Sequence, residues 1–326
     1  MASFTNSSST SSSSSDKGFI FIPPHNEILY EQLKQRLIDG RRDKNEVRLE
    51  FSELDGVSYL FHISPDTPNI ANIHICIKGL ENLKEQGSND ILQRYFPNLE
   101  ITPENGYDYA IKIDCDNYSS SSVKEKEDLI DKVSHIKKYC ECGPLEKSFT
   151  LLSKRSSASG TVVELRHREL ESIYICPREE KVIIIISSFF IDPTERAFAK
   201  IFLQEFVESQ RTIRNAPAAN YVPNAAPKEL DNVKNAQEEM KRADCAGFIS
   251  FAVEPRHIAG EHMQVVLDLM LTFRNYLSYH IKCSKTYLHM RMRQRMSEWI
   301  QVLERAKPEV ESEKKTMSGR TFSQRK

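Results

Sequence analysis

Cys140-Glu-Cys142, with His135 upstream, is the nearest approach to a metal-ligand spacing in this 326-residue chain. A structural zinc needs a second pair at finger distance, and none lies there, so no metal is expected. The plain reading is one buried and one exposed free thiol on a helix. A nucleophilic enzyme would present an activated Ser or Cys on a tight turn with a base beside it. Ser159-Gly160 has only ordinary turn composition, and no G-x-S-x-G, H-E-x-x-H or phosphate-binding loop occurs. Asp114, Asp116 and Asp192 fall near strand ends, where catalytic carboxylates often sit. They serve equally well as turn and helix-cap residues, and that is the reading adopted. No active site and no cofactor are expected. One electrostatic feature remains: Lys282 to Arg295 holds five Lys/Arg and no acidic residue. Interleaved with Tyr287 and Met292, it suits a phosphate backbone or an acidic protein surface, of which an actin filament is one. A nucleic-acid-binding module is therefore the alternative function. The formal net charge of -1 weighs against it, because such domains are usually basic overall.

The element that must position this cluster is a helix read from Ile258 to Ala306. No proline interrupts it between Pro255 and Pro308, and no glycine follows Gly260 within it. At 1.5 Å per residue it would run roughly 65–70 Å, far beyond the usual three or four turns. Arg274, Ser278, Lys282, Lys285, His289 and Arg293 share one wedge of roughly 100°. Phe273, Tyr276, Leu277, Tyr279, Ile281, Cys283, Tyr287 and Leu288 occupy most of the rest. A helix lying on a single sheet shows a narrower apolar stripe. Coverage this wide predicts burial from two sides with a basic strip open. Periodicity leaves open whether the second side is the chain's own large domain or another protein.

Upstream, Met1 to Lys17 is serine-rich and expected to be disordered, a leader ending near residue 18. Asn26–Ile38 reads as a helix, Glu46–Phe51 and Val57–Ile63 as a hairpin about Asp55-Gly56, and Ile70–Ile77 as a third strand. Gly79–Phe96 is helical with a break at Gly87-Ser88, and Tyr107–Ile113 is a strand. Val123–Leu152 is helical with a break at Gly143-Pro144. Thr161–His167, Ser172–Cys176 and Lys181–Phe190 read as strands, Pro193–Arg211 as a helix, Asn215–Asp244 as a loop, and Ala246–Val253 as the last strand. Both halves read helix, three strands, helix, strand. We expect an α+β protein: two similar α/β domains with antiparallel sheets and helices on one face, over residues 19–118 and 119–257. The long helix (258–306) and a basic tail (307–326) follow. The seven scattered cysteines fit free thiols, and no apolar run is long enough to span a membrane. No secretory signal is read at the N-terminus, so cytoplasm is the expected compartment.

Phe273-Arg-Asn-Tyr-Leu-Ser-Tyr-His-Ile-Lys-Cys-Ser-Lys-Thr-Tyr-Leu-His-Met-Arg-Met-Arg293 resembles the signature segment of the subunit 2 family of the actin-related protein 2/3 complex. So does Ser318-Gly-Arg-Thr-Phe-Ser323. Asp55-Gly-Val57, Pro103-Glu-Asn-Gly-Tyr107, Phe202-Leu-Gln-Glu-Phe206, Gly247-Phe-Ile-Ser-Phe251 and Pro255-Arg-His257 follow in the family's order. The serine-rich leader and the Asn215–Asp244 segment depart from it. The resemblance implies a non-catalytic subunit that forms a core with subunit 4, carries the two actin-related proteins and binds the mother filament in branched nucleation. It implies a cytoskeletal location, at actin patches or the cell cortex. Met270, Phe273, Leu277, Ile281, Tyr287 and Trp299 are then the expected subunit-interface residues. Lys282, Lys285, Arg291, Arg293 and Arg295, with Lys314, Lys315 and Arg320 of the tail, are the expected filament-contact residues.

Overall fold

A computed structural model describes residues 24–42, 45–154, 161–166, 171–213, 215–306, 314–315 and 321–322. The serine-rich leader, Ser159-Gly160 and most of the basic tail lie outside these residues.

The first half opens with α1 (Glu27–Leu37), capped by the Asn26 carboxamide, which accepts from the Leu29 N–H at 3.0 Å. Strands β1 (Val47–Ser52), β2 (Ser58–Ile63) and β3 (Ile70–Cys76) follow. Gly56 turns the first hairpin at φ +87°, a backbone state that glycine adopts without a Cβ penalty. Two short helices, α2 (Leu80–Leu83) and α3 (Asn89–Tyr95), flank a kink where Gly87 takes φ +119°. Strands β4 (Glu100–Ile101) and β5 (Tyr109–Asp114) complete an antiparallel sheet of order β1-β2-β3-β5-β4.

The second half repeats the plan. Helices α4 (Val123–Ser134), α5 (Ile136–Glu141) and α6 (Gly143–Ser153) lead into β6 (Val163–Arg166), β7 (Ser172–Pro177) and β8 (Val182–Phe189). Helix α7 (Pro193–Gln210) starts on a proline behind the Asp192 cap, which accepts from the Thr194 N–H at 2.7 Å and the Glu195 N–H at 3.3 Å. Strand β9 (Ala218–Val222), helix α8 (Lys234–Met240) and β10 (Cys245–Val253) close an antiparallel sheet of order β6-β7-β8-β10-β9. The strand orders of the two sheets correspond one to one.

Two expectations change here. Asn215–Asp244 is not a loop: it carries β9, the Lys228–Leu230 turn of 3-10 helix, and α8. Leu230 and Ala236 from it pack on Tyr174, Ile185 and Phe248, so the second sheet is covered on its other face too. That explains why every residue of β8 is buried. The helix expected from Val123 breaks at His135 as well as near Gly143. Around Gly143 the two halves meet closely. A Cβ there would lie 2.3 Å from the Ser88 backbone nitrogen, so a side chain cannot be placed without displacing backbone.

One continuous apolar cluster includes Leu29, Phe61 and Ile111 from the first half and Phe149, Ile184 and Phe251 from the second. It also includes Val266, Leu267, Met270, Phe273, Leu277 and Ile281 from α9 (His262–Arg305). The last described pieces, β11 (Lys314–Lys315) and β12 (Thr321–Phe322), pair antiparallel.

Candidate interaction surface on the long helix

Helix α9 begins four residues later than its sequence suggests. Pro255–Ile258 forms a 3-10 turn, and Gly260 at φ +62° redirects the chain into the helix. Its 44 residues span about 66 Å.

The first half of α9 is bound into the body by apolar and polar contacts together. Phe273 stands edge-on to Phe251 at 5.0 Å and to Phe206 at 5.4 Å, joining α9 to β10 and α7. Arg274 forms a buried, two-pronged ion pair with Glu171, its Nε donating at 2.6 Å, and lies 5.2 Å from the centre of the Phe190 ring. Asn275 donates to Asp55 in the β1–β2 turn at 2.9 Å. Asp268 meets Lys138 of α5 at 2.5 Å. Lys285 closes the series, donating to Asp192 and, at 3.0 Å, to Glu195 at the start of α7. The Lys285 ammonium and the Thr194 N–H hold the Asp192 carboxyl at about 2, and the two carboxylates raise the pKa of Lys285.

Beyond Ile281 the helix leaves the body. Every residue from 282 to 306 is exposed except the half-buried Lys285. Tyr287, Met290, Met292, Met296, Trp299, Ile300, Val302 and Leu303 are each more than half exposed, and Leu288 is 40% exposed. Single exposed apolar residues are ordinary, but a contiguous set on one projecting helix marks an interaction surface. The set has order. Leu288, Met292, Met296, Trp299 and Leu303 fall within about 80° and continue the line of buried Ile281 past the end of the body. Lys282, His289 and Arg293 flank this stripe on one side, Arg291 and Arg295 on the other.

A second stripe runs along the outward face, beginning where the inward face is still buried. Val265, Leu269, Thr272, Tyr276, Tyr279, Cys283, Thr286 and Met290 follow one another at alternating intervals of four and three. Val265 and Leu269 are exposed, and Thr272, Tyr276 and Tyr279 are half-buried. Intervals of four and three make a 3.5-residue repeat, the spacing of a helix-to-helix seam.

Six interface residues were expected, and the structure divides them. Met270, Phe273, Leu277 and Ile281 are at most 2% exposed, covered by this chain's own sheets and helices. They leave no surface for a partner. Tyr287 and Trp299, at 59% and 68%, stand free on the projecting half. The basic strip divides too. Arg274 and Ser278 are buried, and Lys285 is committed to α7. Lys282, Arg291, Arg293 and Arg295 are exposed, Arg291 lying 5.8 Å from the Tyr287 ring centre. Lys314 and Lys315 form β11, and Arg320 lies outside the described residues. Val265 and Leu269, absent from the expected set, carry the seam. Their spacing was visible, but a count over the whole helix circumference hid it.

The aspartates near strand ends have structural partners. Asp114 caps a 3-10 turn by accepting from the Asp116 N–H at 3.0 Å, and Asp116 accepts from Asn69 at 2.6 Å. Cys140 and Cys142 are both buried, where one was expected to be exposed. Burial raises both thiols, Cys142 to about 12, which disfavours the thiolate that metal binding or nucleophilic attack requires. Among the described residues no group of three or more His, Cys, Asp or Glu is placed to hold a metal. No helix among them is long and apolar enough to cross a membrane.

A family model described as "Arp2/3 complex, 34 kD subunit p34-Arc" matches residues 73–310, from within β3 through all of α9. The chain is 33% identical to the actin-related protein 2/3 complex subunit 2 of Dictyostelium discoideum over 307 residues, 94% of this chain and 99% of that protein. It is 30% identical to the subunit of the same name from Schizosaccharomyces pombe over 318 residues, 91% of this chain and 97% of that protein.

Proposed function

Because the chain belongs to the 34 kD subunit family of the Arp2/3 complex, we propose that it is a non-catalytic scaffold whose long helix forms the core of that complex with subunit 4 and which binds the mother actin filament during branched nucleation. The observation that carries this reading is the uncovered distal half of α9. About 24 residues of isolated helix project some 36 Å with large apolar side chains in water. Helices gain most of their stability from packing an apolar face, so this one calls for a partner surface.

The assignment of faces follows. The outward seam and the distal stripe pair with subunit 4, and the body carries the remaining subunits, among them the two actin-related proteins. Lys282, Arg291, Arg293 and Arg295, with the lysines of β11 and Arg320, meet the acidic filament. Lys285 is left out of that set, because it serves as a strut between α9 and α7. The cytoplasmic cytoskeleton, at actin patches or the cortex, is the compartment this role implies.

The test uses the assembled complex. Lys282→Glu with Arg293→Glu is expected to weaken co-sedimentation with actin filaments, more so at low salt, while assembly stays intact. A double variant that assembles and still binds filaments normally would remove the basic strip from the filament contact. One that fails to assemble would place these residues in a subunit interface instead.

A further inference from the structure

The connection between β4 and β5 carries Pro103-Glu-Asn-Gly-Tyr107, a segment to which the helix surface gives no role. Asn105-Gly106 is the only Asn-Gly pair in the 326 residues. The Tyr107 N–H donates to the Glu104 carbonyl at 3.1 Å, so Asn105 and Gly106 form the tip of a β-turn. Gly106 takes φ +95° while Asn105 stays at negative φ, the pattern of a type II turn. In such a turn the third residue's N–H takes no part in the closing hydrogen bond, and among the described residues the Gly106 nitrogen has no partner. Both tip residues are exposed, and a Cβ at Gly106 would meet nothing within 4 Å. The Asn105 carboxamide and the Gly106 nitrogen therefore have open space in which to meet. Asn98 provides a contrast just before β4. It is exposed and lies at φ +62°, but the Leu99 N–H after it donates to the Phe96 carbonyl at 3.3 Å, and the branched Leu99 side chain shields that nitrogen. Glu104 ties the turn to the sheet. Its N–H donates to His74 Nδ1 of β3 at 3.2 Å, and its carboxylate accepts from Arg48 of β1 at 3.1 Å. The Tyr107 ring centre lies 5.7 Å from that of His74.

We propose that Asn105 is a deamidation site and that its isoaspartate product loosens Glu104 from the sheet. The first step is intramolecular. The Gly106 nitrogen gives its proton to base and attacks Asn105 Cγ. The new N–Cγ bond forms as the Cγ–Nδ2 bond breaks, and ammonia leaves with a proton returned from the base. Water then opens the succinimide ring. Opening at the side-chain carbonyl leaves aspartate, and opening at the main-chain carbonyl leaves isoaspartate, whose backbone runs through Cβ and Cγ. Nothing is oxidised or reduced: a carboxamide and water become a carboxylate and ammonium. Glycine favours the attack because it has no Cβ to crowd the nitrogen. Either product places a new negative charge one residue from Glu104, where like charges repel. Isoaspartate also lengthens the backbone by one methylene, so the turn no longer fits the span that holds the Glu104 N–H against His74.

The test incubates the full-length chain at neutral and mildly alkaline pH and follows the tryptic peptide 95–112, which holds both Asn98 and Asn105, by mass spectrometry. Asn105 is expected to convert about tenfold or more faster than Asn98, an activation difference of about 1.4 kcal/mol or more. The rate should rise with pH, because the attacking nitrogen must lose its proton. A protein-isoaspartate methyltransferase should label part of the product. Asn105→Gln, which would have to close a larger ring, should convert about tenfold or more slowly than the parent. Conversion in the folded chain at less than about a tenth of the rate in the urea-unfolded chain would show that the turn protects Asn105, and would overturn the proposal. Aspartate formed without isoaspartate would also overturn it, since that marks direct hydrolysis. In the purified isoaspartate form, hydrogen exchange at the Glu104 N–H should quicken about tenfold or more. Unchanged exchange there would overturn the link to the sheet while leaving the deamidation standing.

Discussion

Phe273 and Trp299 lie on the same helix, and their replacement by alanine should have opposite effects. Phe273 is 2% exposed and wedged between Phe206 and Phe251, so its loss opens a cavity where α9, α7 and β10 join. A buried Phe→Ala change costs about 3–5 kcal/mol, and two edge-on aromatic contacts place this one towards the upper end. Trp299 is 68% exposed on the projecting half of the helix. Trp299→Ala should therefore leave the unfolding free energy of the isolated chain within about 0.5 kcal/mol. In the proposed pair with subunit 4 the order should reverse. An aromatic anchor buried by a partner is worth about 2–4 kcal/mol, so Trp299→Ala should weaken pairing roughly 30- to 900-fold. Urea unfolding of the isolated chain and calorimetric titration of the pair read the two effects separately. Two results would refute the division between own core and partner surface. One is a Phe273→Ala chain as stable as the parent. The other is a Trp299→Ala chain that pairs as tightly as the parent.

Glu171→Gln leaves the Arg274 guanidinium buried without its counter-charge and should cost about 3–5 kcal/mol in urea unfolding, whereas Arg274→Met with Glu171→Leu should recover most of the loss. The acid limb of stability should report the strut at the root of the projecting half. Asp192 is held at about 2, below its ordinary value, so its contribution is present above that ordinary value and lost as pH falls through about 2. Asp192→Asn should flatten the urea midpoint between about pH 4 and pH 2, and an unchanged slope would show that Lys285 does not hold it. Glu239 has the opposite sign. Burial raises its carboxyl against the hydrogen bonds from Ser172 and Tyr174, so its neutral form is favoured in the fold. Its contribution is therefore lost as pH rises through that raised value, and Glu239→Gln should gain stability on the parent as pH climbs past the ordinary carboxylate range, measured by thermal melting.

The repeated plan of the two halves was legible because its signals are local. Asn26 and Asp192 cap helices, Asp55-Gly56 turns a hairpin, and Gly87 breaks a helix, each by its own backbone chemistry. What escaped had weak or misleading local signals. Strand β4 has two residues, too few for any alternation. Pro217, Pro223 and Pro227 suggested a loop, yet they stand just outside β9 and the following 3-10 turn, and so mark boundaries. The break at His135 contains no glycine or proline. There the Ser134 hydroxyl donates to the Asp131 carbonyl at 2.7 Å, and the His135 ring Nδ1 lies 2.7 Å from the same oxygen. Local side-chain bonds of this kind compete with helix continuation. Arg274 carried no hint of its burial, because its counter-charge is 103 residues away in sequence.

The surface of α9 was half legible for a related reason. Periodicity reports that a face is apolar and is silent on what covers it. Read as one uniform wheel, α9 gave a broad apolar surface and mixed two sets of residues. The structure separates them by period. The inward set, Leu267, Met270, Leu271, Phe273 and Leu277, lies on a sheet-and-helix body that tolerates irregular spacing. The outward set from Val265 to Met290 keeps a strict alternation of four and three. A straight helix drifts about 20° per heptad from such a repeat, so the seam stays on one line only if α9 winds slightly around a second helix. A flat sheet would gain nothing from that regularity. The form of the repeat, more than the amount of exposed apolar surface, is the reason to assign the outward face to a helical partner. Substituting seam positions tests this against the alternative of a general apolar patch. Leu269→Asp should abolish pairing with subunit 4, while Ile201→Asp, at a residue still more exposed on α7 but off the seam, should leave it unchanged.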